Sequence, residues 1–320
     1  MAVYTQVPAE EMAALLARYP GAGALTSAKG IAEGVENSNY LVETDASRFI
    51  LTLYEKRVDT ADLPFFLALL DHLADKGLPV PRALKDEAGV QIQQVAGRPA
   101  CLIEFLSGVS VSHPEPAQAR ATGEALGEMH AALADFTGER ANSLGIAGWR
   151  ELAARCGDDL DAIAPGLGAR VAEELRFLDA HWPAELPRAV VHADLFPDNV
   201  LMLGDRVAGV IDFYFACTEI RAWDVAVTHS AWCFEADGTG FHPDLGAALI
   251  AGYDARFGLS DAERAAFAVL ARGSCLRFLL TRAWDWLNTP ADAIVTRKDP
   301  LAFLRRLDFY RDATPETLGL

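Results

Sequence analysis

His192, Asp194 and Asn199, within "VVHADLFPDNVLM" at 190–202, place an imidazole, a carboxylate and an amide in a segment that otherwise has the composition of an apolar strand. Their pattern is H-x-D-x-x-x-x-N. A second carboxylate, Asp212 in "GVIDF", follows thirteen residues after Asn199. Between the two, "NVLMLGDRVAGVIDF" reads as a pair of strands joined at Gly204-Asp205-Arg206, a hairpin signal. With Asp205 and Arg206 as the loop, Asn199 falls opposite Asp212, and a turn shifted by one residue displaces that pairing by two. The hairpin then carries an amide oxygen and a carboxylate to one open end, beside Asp194. Hard oxygen donors of this kind suit Mg²⁺. The set fits phosphoryl transfer, where positioning and charge neutralisation do most of the catalysis. Asp194 would orient a nucleophilic hydroxyl and accept its proton, Asn199 and Asp212 would hold Mg²⁺ against nucleotide phosphates, and His192 would brace the loop. Taken singly, the same residues read as turn caps, a strand start and a satisfied core histidine. It is the joint spacing that favours chemistry, and His192 alone reads as structural.

The elements that must position these groups change character near residue 107. Before it, the spacing predicts a short amphipathic helix over about 8–19, then the β-rich segments "NSNYLVET" and "RFILTLYE" joined at "TDAS". A helix follows over about 61–76, with Phe65, Phe66, Leu69, Leu70 and Leu73 at helical spacing and a stop at Gly77. "PACLIEFLSG" reads as a buried strand entering a Gly-containing connection. Beyond it the pattern is helical at about 115–135, 149–157 and 166–182, and after the hairpin at about 221–236, 243–257, 260–288 and 299–310. The expectation is an α+β, two-lobe fold: a small β-rich lobe with one main helix over 1–106, and a larger, mostly helical lobe over 107–320.

"VVHADLFPDNVL" with "VIDF" resembles the aminoglycoside phosphotransferase-like kinases, which share the protein-kinase fold. More narrowly, "EGVENSNYLVET", "FILTLYEKR", "GVIDFYFACTEIRAWDVAVTHSAWCFE", and "RFLLTRAWDWLNTP" followed by "VTRKDPLAFLRRLDFYR" are similar to the homoserine kinases of that superfamily. The likeness runs from about residue 5 to 312; the catalytic motifs mark the superfamily, and the "RFLLTRAWDWLNTP" block marks the narrower group. It implies ATP and Mg²⁺ as cofactors and the side-chain hydroxyl of L-homoserine, an intermediate of threonine biosynthesis, as phosphoryl acceptor.

Against the wider kinase pattern, the phosphate-covering loop is not G-x-G-x-x-G. Gly30 and Gly34 precede "VENSNY", so backbone amides and the short polar side chains of Asn37, Ser38 and Asn39 are the candidates for phosphate oxygens; a simple hairpin turn explains Gly30 equally. Where relatives carry a basic residue on the third strand stands Thr52, and Lys56, on the same face, is the substitute cation. Asp62 or Asp71 would be its helix partner. Glu104, Phe105 and Leu106 end the strand "LIEFL" where a hinge backbone would meet adenine, a plain strand end being the competing reading. A zwitterionic acceptor needs a guanidinium for its carboxylate and an acid for its ammonium. "CLRFLLTRAWDWLN" supplies Arg277, Arg282 and Asp285. The two arginines are five apart, about 140° round a helix, so at most one shares the face of Asp285. The competing account is an intrahelical ion pair beside core tryptophans. Tyr214 is a candidate pocket wall, and the resemblance implies that Asp224 stabilises the catalytic loop, where a first-turn acid is the competing reading.

A net charge of −17 argues against duplex nucleic acid or an anionic membrane as partner, both of which need a basic face. Cys101, Cys156, Cys217, Cys233 and Cys275 occur singly, without C-x-x-C spacing, which reads as reduced thiols. The first residues lack a basic segment followed by an apolar run, and no stretch has the length of a membrane span, so a cytoplasmic enzyme is expected. Oligomeric state is open. An aminoglycoside or choline-like acceptor, or an inactive nucleotide-binding module, are the alternatives; the Arg and Asp pairing argues for an acceptor with a carboxylate.

Overall fold

The computed structural model describes residues 4–31, 37–55, 59–289 and 297–320. The chain divides into two compact units, Met1–Ser107 with Gly209–Tyr214, and Gly108–Ala208 with Phe215–Leu320. The fold is α+β.

In the first unit, α1 (Ala9–Leu16) precedes three antiparallel strands, β1 (Leu25–Gly30), β2 (Ser38–Thr44) and β3 (Arg48–Leu53). Then come α2 (Leu63–Asp75), β4 (Gln93–Val95) and β5 (Arg98–Glu104), giving the sheet order β1-β2-β3-β5-β4. Strand alternation sends Tyr40 and Val42 of β2 and Phe49, Leu51 and Leu53 of β3 into a core completed by Met12, Leu15 and Leu16 of α1. Gly77, at φ +84°, ends the α2 region where a left-handed residue without a Cβ is needed. The segment 209–214 belongs to this unit through the Val210 N–H, which donates to the Pro79 carbonyl at 2.8 Å, and through Tyr214, whose ring meets Tyr54 and Phe66 edge-on.

In the second unit, α3 (Pro116–Ala132), α4 (Ile146–Cys156), α5 (Leu160–Ile163) and α6 (Leu167–His181) lead to β6 (Arg188–Val191). The catalytic-loop candidate follows, then the hairpin β7 (Val200–Leu203) and β8 (Arg206–Val210), β9 (Cys217–Ile220), and the helices α7 (Arg221–Trp232), α8 (Pro243–Arg256), α9 (Asp261–Asn288), α10 (Leu301–Asp312) and α11 (Pro315–Leu318). β6 pairs antiparallel with β9, from Arg188 opposite Ile220 to Val191 opposite Cys217. α9 begins in a reciprocal capping box between Ser260 and Glu263 and is buried on all sides from Leu270 to Leu280, as is α7 from Ala222 to Trp232. These two helices pack against each other and back the catalytic loop.

Two expectations need correction. The hairpin loop is Gly204-Asp205, because Gly204 at φ +62° takes the left-handed position of the turn. By that turn Asn199 counts opposite Val210, two residues short of Asp212. Gly30 is the last residue of β1, paired opposite Tyr40, not a turn. The segment 25–30 gave no strand signal because its burial does not alternate.

Candidate active site

The loop after β6 is held from beneath by one carboxylate. Asp224, fully buried near the start of α7, accepts the His192 N–H on Oδ2 at 2.8 Å and the Ala193 N–H on Oδ1 at 2.7 Å. His130 of α3 reaches the same Oδ2 through Nε2 at 3.1 Å, and its Nδ1 meets the Tyr253 hydroxyl at 2.9 Å. Burial alone would raise the Asp224 carboxyl, but these donors outweigh it and hold the group below its ordinary value. The loop is thus anchored by an anion that stays ionised in the core.

The chemistry-bearing side chains sit on top of that anchor. Ala193 has a positive φ of 66°, and Asp194 next to it is partly exposed. The Asp194 N–H donates to His192 Nδ1 at 3.2 Å, so His192 is buried with its ring turned back on the loop. Asn199 donates through Nδ2 to the Asp194 carbonyl at 2.8 Å and to its Oδ2 at 3.2 Å. The amide nitrogen is therefore spent, and Oδ1 is the end left for a cation. Burial pushes the Asp194 carboxyl above the usual carboxylate range, against the opposing pull of Arg277, His192 and Lys298 and the bond from Asn199. Trp232 fixes the following residue, its Nε1–H donating to the Leu195 carbonyl at 3.0 Å.

The long helix α9 divides its charged residues between two tasks. Arg277 is 2% exposed; its Nη1 donates to the Ala193 carbonyl and its Nη2 lies 3.9 Å from Asp194 Oδ1. That contact corrects the expectation of a substrate ligand, because the guanidinium already faces the loop backbone. Arg282 donates to the Asp299 carbonyl at 3.1 Å and lies over the Phe303 ring; burial, then the nearby Arg306, lower its pKa to about 10. Asp285 is half-buried at the end of α9, where its carbonyl accepts from Thr289. Lys298, which the sequence reading passed over, lies 3.6 Å from Asp198 in the same loop.

In the first unit, Asp212 is exposed and adopts φ +64°, strained backbone for a residue with a Cβ. Tyr214, the candidate pocket wall, is half-buried: its hydroxyl meets Tyr54 at 3.1 Å, and burial raises its pKa far above normal. Asn37 is buried, and among the described residues its Oδ1 has no hydrogen-bond partner. Asn39 Oδ1 accepts from Thr52 at 2.7 Å. Ser38 is a further correction, since its hydroxyl accepts the Tyr4 and Thr5 N–H groups and donates to Glu55 at 2.8 Å, leaving nothing for a phosphate. Gly34 and Lys56 lie outside the described residues. Asp71 meets Gln91 and Lys85. At the end of β5, the Glu104 N–H donates to the Arg82 carbonyl at 2.9 Å and Phe105 lies under the Arg48 guanidinium, while Leu106 is half-buried. Sequence reasoning also missed His130, whose signal was a polar residue in the buried stripe Ala119, Leu126, Met129 and Ala132 of α3.

An Asp-centred loop of this form, on an α+β scaffold, is phosphotransferase architecture, and residues 27–268 match the phosphotransferase enzyme family, APH. The chain belongs to that family. It is 58% identical to a homoserine kinase of Zymomonas mobilis across the whole of both chains, and 52% identical to that of Methylobacterium radiotolerans over 98% of this chain and 97% of the other. Among solved structures, a spectinomycin phosphotransferase superposes with a TM-score of 0.69 at 13% identity, over 98% of this chain and 97% of that one. The choline kinase of Cryptosporidium parvum gives 0.67 at 16%, over 95% and 94%. These two share the fold.

Proposed function

We propose that the protein is a kinase that transfers the γ-phosphoryl group of ATP to the side-chain hydroxyl of L-homoserine. The observation that carries this reading is the 58% identity, end to end, with a protein named homoserine kinase. The loop chemistry agrees with it. Asp194 takes the proton of the acceptor hydroxyl as its oxygen bonds to the γ-phosphorus; the bridging P–O bond breaks and ADP leaves. Asn199 and Asp212 bracket the β7–β8 hairpin in the chain and are the proposed Mg²⁺ ligands. One amide oxygen and one carboxylate form a sparse set, of the kind Mg²⁺ takes when phosphates and water complete its shell. When bound, that ion neutralises phosphate charge. Gly30, Gly34, Asn37, Asn39 and Lys56 are the phosphate-side candidates, and the backbone at Glu104, Phe105 and Leu106 the base-side one. Arg282 and Asp285 are the proposed partners of the carboxylate and ammonium of the acceptor.

Steady-state assays with Mg²⁺-ATP against L-homoserine, L-serine, choline and kanamycin test the proposal. L-Homoserine should be preferred, and Asp194→Asn should cut turnover by about 10²–10⁴-fold while ATP affinity stays within a few-fold. Faster turnover of choline or kanamycin would overturn the choice of acceptor, and near-normal turnover in Asp194→Asn would overturn the role of that residue.

A further inference from the structure

Arg277 is among the largest fully buried side chains of the chain, and it sits in the middle of α9. The rings of Phe278, Phe215 and Trp223 lie around it, with centroids 4.5, 5.1 and 5.5 Å from its guanidinium carbon. A guanidinium in such surroundings is tolerated only where acceptors replace the water it gives up. Two such acceptors are the Ala193 carbonyl and, at 3.9 Å, the Asp194 carboxylate.

The Ala193 carbonyl is one half of the peptide that joins Ala193 to Asp194. The other half is the Asp194 N–H, which is held by His192 Nδ1 at 3.2 Å. A peptide is planar, so fixing its oxygen and its N–H fixes the whole plane, and with it the direction in which Asp194 leaves the backbone. The preceding peptide is pinned independently, the Ala193 N–H being held by Asp224 at 2.7 Å. Between these two pinned peptides Ala193 keeps φ at +66°, a value that a residue with a Cβ abandons unless its neighbours enforce it. Asp224 secures one side of the kink from α7, and Arg277 secures the other from α9.

We propose that Arg277 is a positioning residue for phosphoryl transfer: it locks the Ala193–Asp194 peptide so that the Asp194 carboxylate meets the acceptor hydroxyl in one geometry, without itself touching the acceptor. This rests on the reading of Asp194 given above. A carboxylate displaced by about an ångström loses on the order of a hundredfold in rate. The loss falls on kcat, because the acceptor's own contacts are intact. A residue that gripped the substrate carboxylate would raise KM instead.

The test compares Arg277→Met, Arg277→Lys and a control, Arg272→Met, by kcat, by KM for both substrates and by melting temperature. Arg272 lies on the same helix, is buried, and grips Glu174 at 2.6 and 2.8 Å away from the loop. Arg277→Met should lose at least about thirtyfold in kcat with both KM values within about threefold, and Arg277→Lys, which can still reach one carbonyl, should recover part of that loss. Arg272→Met should melt earlier with kcat within about threefold of wild type. The proposal is overturned if folded Arg277→Met keeps its kcat, if its KM for the acceptor rises about tenfold with kcat unchanged, or if Arg272→Met loses as much kcat. Should Arg277→Met fail to fold, Arg277→Lys decides: a reduced kcat at constant KM supports the proposal and a wild-type kcat overturns it. Should wild type leave L-homoserine unphosphorylated, the acceptor reading fails by itself. The slow hydrolysis of Mg²⁺-ATP by water then reports on Arg277, falling in Arg277→Met if the peptide lock is real and staying level if it is not.

Discussion

Asp224 touches no reacting atom by its geometry, yet it meets two backbone amides and one imidazole at 2.7–3.1 Å from a site with no solvent exposure. Its worth lies in being an acceptor on both oxygens. An asparagine has the same shape but would turn an NH₂ group toward one of those donors, leaving a buried N–H without an acceptor and removing a charge that the core was built to hold. Asp224→Asn should therefore destabilise the protein by about 3–5 kcal/mol in urea unfolding and lower kcat by more than about tenfold. A variant as stable as wild type would show that the loop is held by other means. Asp224 was named as a loop residue by resemblance, whereas its partner His130 was not. Nor could spacing reveal that Arg277 would turn to a carbonyl 84 residues away in the chain, since helical periodicity assigns a face and not a partner. Ser38 was misread for the same reason: a short polar side chain after glycines suits a phosphate, but the N-terminal segment reaches it first.

At the scale of elements, the crossing of α3 and α8 depends on glycine where the helices touch. A Cβ added at Gly123 would stand 2.0 Å from the Leu249 carbonyl oxygen, and one at Gly252 2.1 Å from that of Arg120. No rotamer relieves a clash of Cβ with backbone, so the helices must separate. Gly123→Ala should cost roughly 1–3 kcal/mol of stability, even though alanine favours a helix by about 1 kcal/mol over glycine. A urea midpoint at or above that of wild type would mean that the two helices can separate at little cost. Most helices were legible because each joins a 3.6-residue apolar period to a start signal, as Ser260 with Glu263 does for α9. The β7–β8 hairpin was legible from its apolar strands flanking a turn, though its register slipped with the placement of Gly204. β1 was not legible, because a strand exposed along "TSAK" carries no periodicity to read.

For the molecule as a whole, acid should act first through the C-terminal packing. His229 is fully buried between the Tyr310 hydroxyl at 2.6 Å and the Leu318 carbonyl at 3.3 Å, and burial lowers its pKa to about 4 from 6.5. Its unfolded form gains a proton below pH 6.5 that the folded form refuses until about pH 4. Stability is therefore fully present above that window and drains away as pH falls through it, by about 3 kcal/mol in total. In His229→Gln, the dependence of unfolding free energy on pH between 6.5 and 4.5 should flatten by most of one proton; an unchanged slope would assign the acid sensitivity to other groups. All five cysteines are buried, and none of the described helices is long and apolar enough to cross a membrane. The five-stranded sheet bears on behaviour at high concentration. Its two outer strands are β1, whose pairing is irregular between Leu25 and Ser27 and which carries Lys29, and β4, which has three residues. An unpaired strand edge is a template on which another chain can add itself, and a kink, a lysine and brevity each spoil that template. Crowding should therefore bring these molecules, each with a net charge of −17, together without seeding a shared sheet.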